Sequence, residues 1–184
     1  VKVGVWVEYR DFVTTWESED PNASPPQTLI DANNTLWSRN IVQAASGVNV
    51  TFQTIVHYEN DTEQIITRSV NVDSGDGNGT LWFILTCMEP SDMIYTNNGY
   101  PVNETTSRTY ASFTRDVNHL SITQISATHN SSENLYWDKI TGTLTEWTVQ
   151  ESLLDNGYIT SWSTSFKMVD TNLWKTINVP TDYP

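Results

Sequence analysis

The side chains in this sequence best suited to covalent chemistry are asparagines. Asn-x-Ser/Thr triplets begin at Asn22, Asn33, Asn49, Asn60, Asn78, Asn103 and Asn130, seven in 184 residues. In a secreted chain the carboxamide nitrogen of such a triplet can carry a glycan. With 17 Asn and 43 Ser and Thr, chance alone supplies about 4, so position matters more than number. Asn60, Asn78, Asn103 and Asn130 fall where the pattern reads as turn or loop, and Asn49 lies just past a predicted turn. Extracellular N-glycosylation is the expected modification.

Other chemistries find little support. His57, His119 and His129 are scattered, without the paired spacing of a zinc motif, and His57 falls on the polar face of its predicted strand. Glu17, Glu19 and Asp20 lie close enough in sequence to bind Ca²⁺ or simply to be solvated. "DSGDGNG" offers oxygens at Asp73, Asp76 and Asn78, but Cys87 stands twelfth from Asp76, where a calcium loop requires Glu. A Gly-rich hairpin loop is the expectation there. No nucleophile elbow, phosphate loop or dinucleotide fingerprint occurs. Cys87 is the only cysteine, so no intramolecular disulfide forms, and its place in "LWFILTCM" predicts a small buried hydrophobe. We expect no metal, no cofactor and no enzymatic activity.

Charge narrows the partners. Nine Lys and Arg against 22 Asp and Glu give a net charge of −13, which argues against nucleic acid and anionic lipid surfaces. No apolar run approaches the 18 or so residues of a membrane-spanning helix. A chain of 184 residues can bury roughly 70% of its unfolded surface without covalent staples. The opening "VKVGVWVEY" and the closing "NVPTDYP" read as a trimmed ectodomain, with targeting and anchoring segments outside this sequence. We place one antiparallel β domain at 1–176 and the start of a spacer at 177–184.

The elements that must carry these groups read as strands. "VNVTFQTIVHY" sets Val48, Val50, Phe52, Val56 and Tyr58 on one face, with Asn49, Thr51, Gln53 and His57 on the other. Residues 36–58 form a hairpin around Ser46-Gly47, and a turn at Asn60-Asp61 starts "EQIITRSVNV". "TLWFILTC" has strand length. "YITSWSTSFKMV" alternates Tyr158, Trp162, Phe166 and Met168 with Ser161, Ser163, Ser165 and Lys167. Val, Thr, Ile and aromatics dominate, and helical signals are confined to short turns near "SPPQTLIDANN" and "EPSDMIY". About ten strands imply an all-β antiparallel meander, shaped as a curved half-barrel, a barrel or a sandwich.

"YWDKITGTLTEW" is a predicted hairpin with its tip at Asp138 to Gly142. Asp138 accepts a backbone N–H at the first turn position, and Gly142 supplies a left-handed residue. Tyr136 and Trp137 stand on one arm, Leu144 and Trp147 on the other, and zip the arms onto the core. This stretch and "SFKMVDTNLW" resemble uncharacterised secreted archaeal surface proteins that carry a "YWDKxTGxLxE" hairpin before a strand ending in "TNLW". "GVWVEY", "GVNVTFQTIVHYENDT" and "RTYASFTRDVN" resemble further blocks of those proteins, although Val5 stands where an Asp usually follows the Gly. The resemblance implies a surface-exposed β domain, often tethered by a stalk and a hydrophobic anchor, and transfers no catalytic residue.

Together these readings predict a non-catalytic, glycosylated surface protein with a structural or self-assembling role, as a filament subunit or envelope component. Its partners would be other copies of itself or other surface proteins. The alternative is a half-barrel holding an apolar ligand such as a lipid. "VKVGVWV" places Val1, Val3, Val5 and Val7 on one face of a strand that pairs at home or is exchanged between subunits.

Overall fold

Period-two patterning becomes strand through most of the chain. The computed structural model describes residues 1–97 and 99–174. Its strands are β1 (Trp6–Ser18), β2 (Thr35–Ser46), β3 (Asn49–Tyr58), β4 (Glu63–Asn71), β5 (Glu104–Tyr110), β6 (Phe113–Ile125), β7 (His129–Asp138), β8 (Leu144–Asp155) and β9 (Tyr158–Thr171). One short helix, α1 (Gln27–Asn33), links β1 to β2. Nine strands thus stand where about ten were expected, and the fold is all-β. The spacer expected at 177–184 lies outside the described residues.

All nine strands form one open antiparallel sheet in the order β4-β3-β2-β1-β9-β8-β7-β6-β5. Two meanders meet where β1 pairs with β9, so the first and last strands sit at the centre of the sheet. Hydroxyl pairs reinforce that seam: Thr14 with Thr164 at 3.3 Å, Thr15 with Ser163 at 2.7 Å, and Ser18 with Thr160 at 2.9 Å. The strand does not begin at Val1. Gly4, at φ 81°, turns the chain, and Val5 N–H bonds back to the Lys2 carbonyl. Val1 and Val3 remain exposed, because only from Trp6 onward does the chain have a strand on both sides.

The described residues of 72–103, between β4 and β5, form the second layer. They cross one face of the sheet and bury Val7, Tyr9, Leu120, Leu135, Trp137, Leu144, Phe166 and Met168 beneath Ile84, Met88, Ile94, Tyr95 and Val102. Phe52 and Phe83 meet edge-on in a smaller cluster with Val42, Val50 and Val70. "TLWFILTC" is therefore not a strand. Its main chain bonds to the β7–β8 hairpin instead: Ile84 N–H to the Gly142 carbonyl at 2.8 Å, Cys87 N–H to Lys139 at 2.7 Å, and Leu144 N–H to Trp82 at 3.1 Å. Leu81 and Cys87 take positive φ, which a continuous strand excludes. Cys87 is exposed rather than buried, since that backbone turn swings it off the core. "EPSDMIY" makes a turn (Asp92 N–H to the Glu89 carbonyl) but no helix.

The opposite face carries a second, smaller core. Tyr110, Val117 and Tyr136 pack there with the partly buried Trp174. The β5–β6 turn, Ala111-Ser112, has positive φ at both central residues (48° and 67°), the signature of a type I′ hairpin.

Candidate functional site

The YWDK hairpin proves to be the hub of the fold. Asp138 is completely buried, and its Oδ1 accepts from Thr141 N–H at 2.7 Å and Thr141 Oγ at 2.8 Å. Its Oδ2 accepts from Arg115 Nε at 2.8 Å. Gly142 has φ 67°, and a β-carbon there would run into the Ile84 carbonyl oxygen. Trp137 is fully buried on the crossover side and donates from Nε1 to the Leu81 carbonyl at 2.7 Å. It stands opposite Leu144 in the ladder. Trp147 pairs instead with Leu135, because a bulge shifts the register after Tyr136. Tyr136 faces the other way, opposite Glu146. The zipper thus works on both faces of the sheet at once.

On Tyr136's face lies the densest polar cluster. Glu146 Oε2 accepts from Arg108 Nη1 and from the Tyr110 hydroxyl, both at 2.7 Å. Arg108 lies 3.8 Å over the Tyr136 ring, and the His119 ring stacks on the Tyr136 ring with centroids 4.4 Å apart. Burial first, then Glu146, pushes the Tyr110 phenol well above its ordinary value. Arg108 Nη2 also donates to the Tyr136 hydroxyl at 3.1 Å, so the arrangement ties the β5–β6 hairpin to β7 and β8. Sequence reasoning missed it. Arg108 and Glu146 are 38 residues apart, and only the strand order brings them together.

The other candidate ligands stay apart. His57 stacks on Trp37 and lies 3.4 Å from Glu63, while His129 lies 3.6 Å from Glu151. Glu19 accepts from Ile159 N–H, and Asp20 accepts from Asn22 N–H. Among the described residues no three His, Cys, Asp or Glu converge on a metal position. The apolar hollow between Trp82, Trp147 and Phe166 measures about 180 Å³, and its neighbour near Tyr95 and Tyr100 about 350 Å³. A wider hollow, about 630 Å³, is polar and lies between α1 and the β3–β4 turn, with Asn60 in its lining.

The seven acceptor asparagines behave as a set. Asn22, Asn33, Asn49, Asn60, Asn78, Asn103 and Asn130 are all exposed. Of the eight other described asparagines, only Asn97 and Asn156 are; Asn34, Asn40, Asn71, Asn118, Asn134 and Asn172 are wholly or partly covered. Asn49 and Asn130 lie within strands, Asn130 in β7 rather than in the predicted loop. There the hydroxyl residue two positions on shares the asparagine's face. Asn60 caps its turn, with Oδ1 accepting from Thr62 N–H at 3.1 Å. Asn78 differs: Oδ1 accepts from Ser69 N–H at 2.8 Å, and Nδ2 donates to the Thr67 carbonyl at 3.4 Å.

Compared with models of known protein families and with curated proteins, the chain matches neither. Among the described residues no helix is long and apolar enough to cross a membrane.

Proposed function

We propose that this protein is a non-catalytic, N-glycosylated β domain of the extracellular cell surface, with a structural role in an envelope layer or filament. The observation that carries the reading is the exposure of every acceptor asparagine in a chain that covers most of its other described asparagines. A glycan is bulky and hydrated and needs an accessible nitrogen, so a chain selected to carry glycans keeps these positions clear. The net charge of −13 adds a strongly hydrated surface.

The alternative, an apolar ligand held in the curve of the sheet, has less to support it. Residues 72–103 fill the face where such a ligand would lie. Hollows beside these residues, about 180, 220 and 350 Å³, sit at or below the lower end of the roughly 300–1,000 Å³ range of ligand pockets.

Peptide mapping and intact mass of protein purified from its own source test the proposal. We expect glycans on at least four of the seven sites. Unmodified asparagine at all seven would overturn it.

A further inference from the structure

Among the described residues, both ends of the sheet leave main-chain groups with no hydrogen-bonded strand beside them, and each end carries an acceptor asparagine. At the β4 end, Ser69 N–H meets Asn78 Oδ1, Ser69 C=O meets Gly79 N–H, and Asn71 N–H meets the Asp76 carbonyl. Alternation along the strand points the groups of Glu63, Ile65 and Thr67 the same way, off the sheet, and of these the Thr67 carbonyl is met by Asn78 Nδ2. The crossover therefore closes the later half of β4 and leaves its first half open. Ile65, in that open half, is 60% exposed. Asn60 stands in the turn that leads directly into it.

At the β5 end, the two-residue turn makes Tyr110 and Phe113 a paired rung, which turns the groups of Thr105, Ser107 and Thr109 outward. Asn103 precedes β5, and its Oδ1 accepts from Ser121 N–H at 2.5 Å. Beyond that point β6 runs without a β5 partner to Ile125, which is 81% exposed. The β4 edge carries Ile65 and Ile66 and the β5 edge is rich in Thr, and such edges are templates for another chain. Because the two edges differ, β4 of one copy joined to β5 of the next would propagate, whereas like-with-like pairing would stop at a dimer.

We infer that glycans on Asn60 and Asn103 guard these two edges, and that a chain lacking them adds edge to edge to a second copy. The inference rests on the surface-glycoprotein reading above. Asn78 guards its own part of β4 differently. Its carboxamide replaces a ladder rung, using the amide hydrogen on the same side as Oδ1, the hydrogen a glycan would displace. Asn78 closes the edge as a free amide.

The test uses protein secreted from an N-glycosylating host, with every site mapped, and compares oligomeric state by analytical ultracentrifugation over a concentration series. The variant N60Q/N103Q, and separately T62A/T105A, which removes the same two acceptors while keeping both asparagines, should associate at least tenfold more tightly than wild type. The control N22Q/N33Q should stay with wild type. Adding I65P and S107P, whose N–H groups point off the sheet, should restore monomers. Folded variants shown to lack both glycans yet no more associated than wild type would overturn the inference, as would equal association of the control. Bare Asn60 and Asn103 with other sites occupied would defeat the inference alone. Seven bare sites would defeat the glycoprotein reading as well.

Discussion

At the residue scale, two side-chain positions concentrate the fold's dependence on one hairpin. Gly142 combines a left-handed backbone with contact against the Ile84 carbonyl, so Gly142→Ala meets both backbone strain and a clash. We expect a loss of about 2–4 kcal/mol in urea unfolding. Asp138 is a buried carboxylate satisfied by Arg115 and by the turn. Asp138→Ala strands the Arg115 guanidinium and two turn donors, and should cost about 3–5 kcal/mol. Asp138→Asn keeps an oxygen for the Thr141 donors and should cost less. Equal losses for the two substitutions would mean that the turn bonds contribute nothing separable.

At the element scale, the β5–β6 hairpin is held in a turn its residues do not favour. Type I′ geometry suits Asn-Gly, yet Ala111 and Ser112 occupy it. The hairpin holds because Arg108, Tyr110 and Arg115 anchor both arms to Glu146 and Asp138. Ala111→Asn with Ser112→Gly should therefore stabilise the domain by about 1 kcal/mol, read as a raised denaturation midpoint. β1 makes the contrasting case. It has a strand on each side, so exchange between subunits would break two ladders rather than one. Deleting residues 1–5 should leave a folded domain, whereas deleting residues 1–9 removes Val7 and Tyr9 from the core and should unfold it. A folded monomer after the longer deletion, by circular dichroism, would contradict a central β1.

At the scale of the whole molecule, alkaline pH tests the packing. Burial holds the Tyr95 phenol at about 12, and raises those of Tyr9 and Tyr110 further. Such groups favour the fold fully below the unfolded tyrosine value of about 10, and that contribution is lost as pH climbs through the folded values. The thermal midpoint should stay flat towards pH 10 with respect to these groups and fall steeply between about 10 and 12. Phenolate absorbance should lag behind that of a denatured control and then rise together with unfolding. Normal titration of all the tyrosines in folded protein would show that the two faces are more open than the structure has them.

What the sequence determined by itself was local. Alternation in "VNVTFQTIVHY" and "YITSWSTSFKMV" specified strands and placed Val50, Phe52, Phe166 and Met168 on buried faces, because side chains on a pleated strand repeat every second residue. Val48 and Tyr158, at the start of each stretch, stay exposed. Gly142 and Asp138 announced their turn through chemistry confined to a few neighbours. The acceptor triplets were legible for the same reason. Tertiary structure alone decided the rest. "LWFILTC" has a strand's composition but gives its hydrogen bonds to a hairpin more than fifty residues later, so it forms no ladder. The leading strand could pair at home or be exchanged, and only the pairing of β1 with β2 and β9 placed it at the centre. The edges could not be read at all, since an edge is the absence of a neighbour. Which strand lacks one depends on the order of all nine, and no strand carries that order in its own residues.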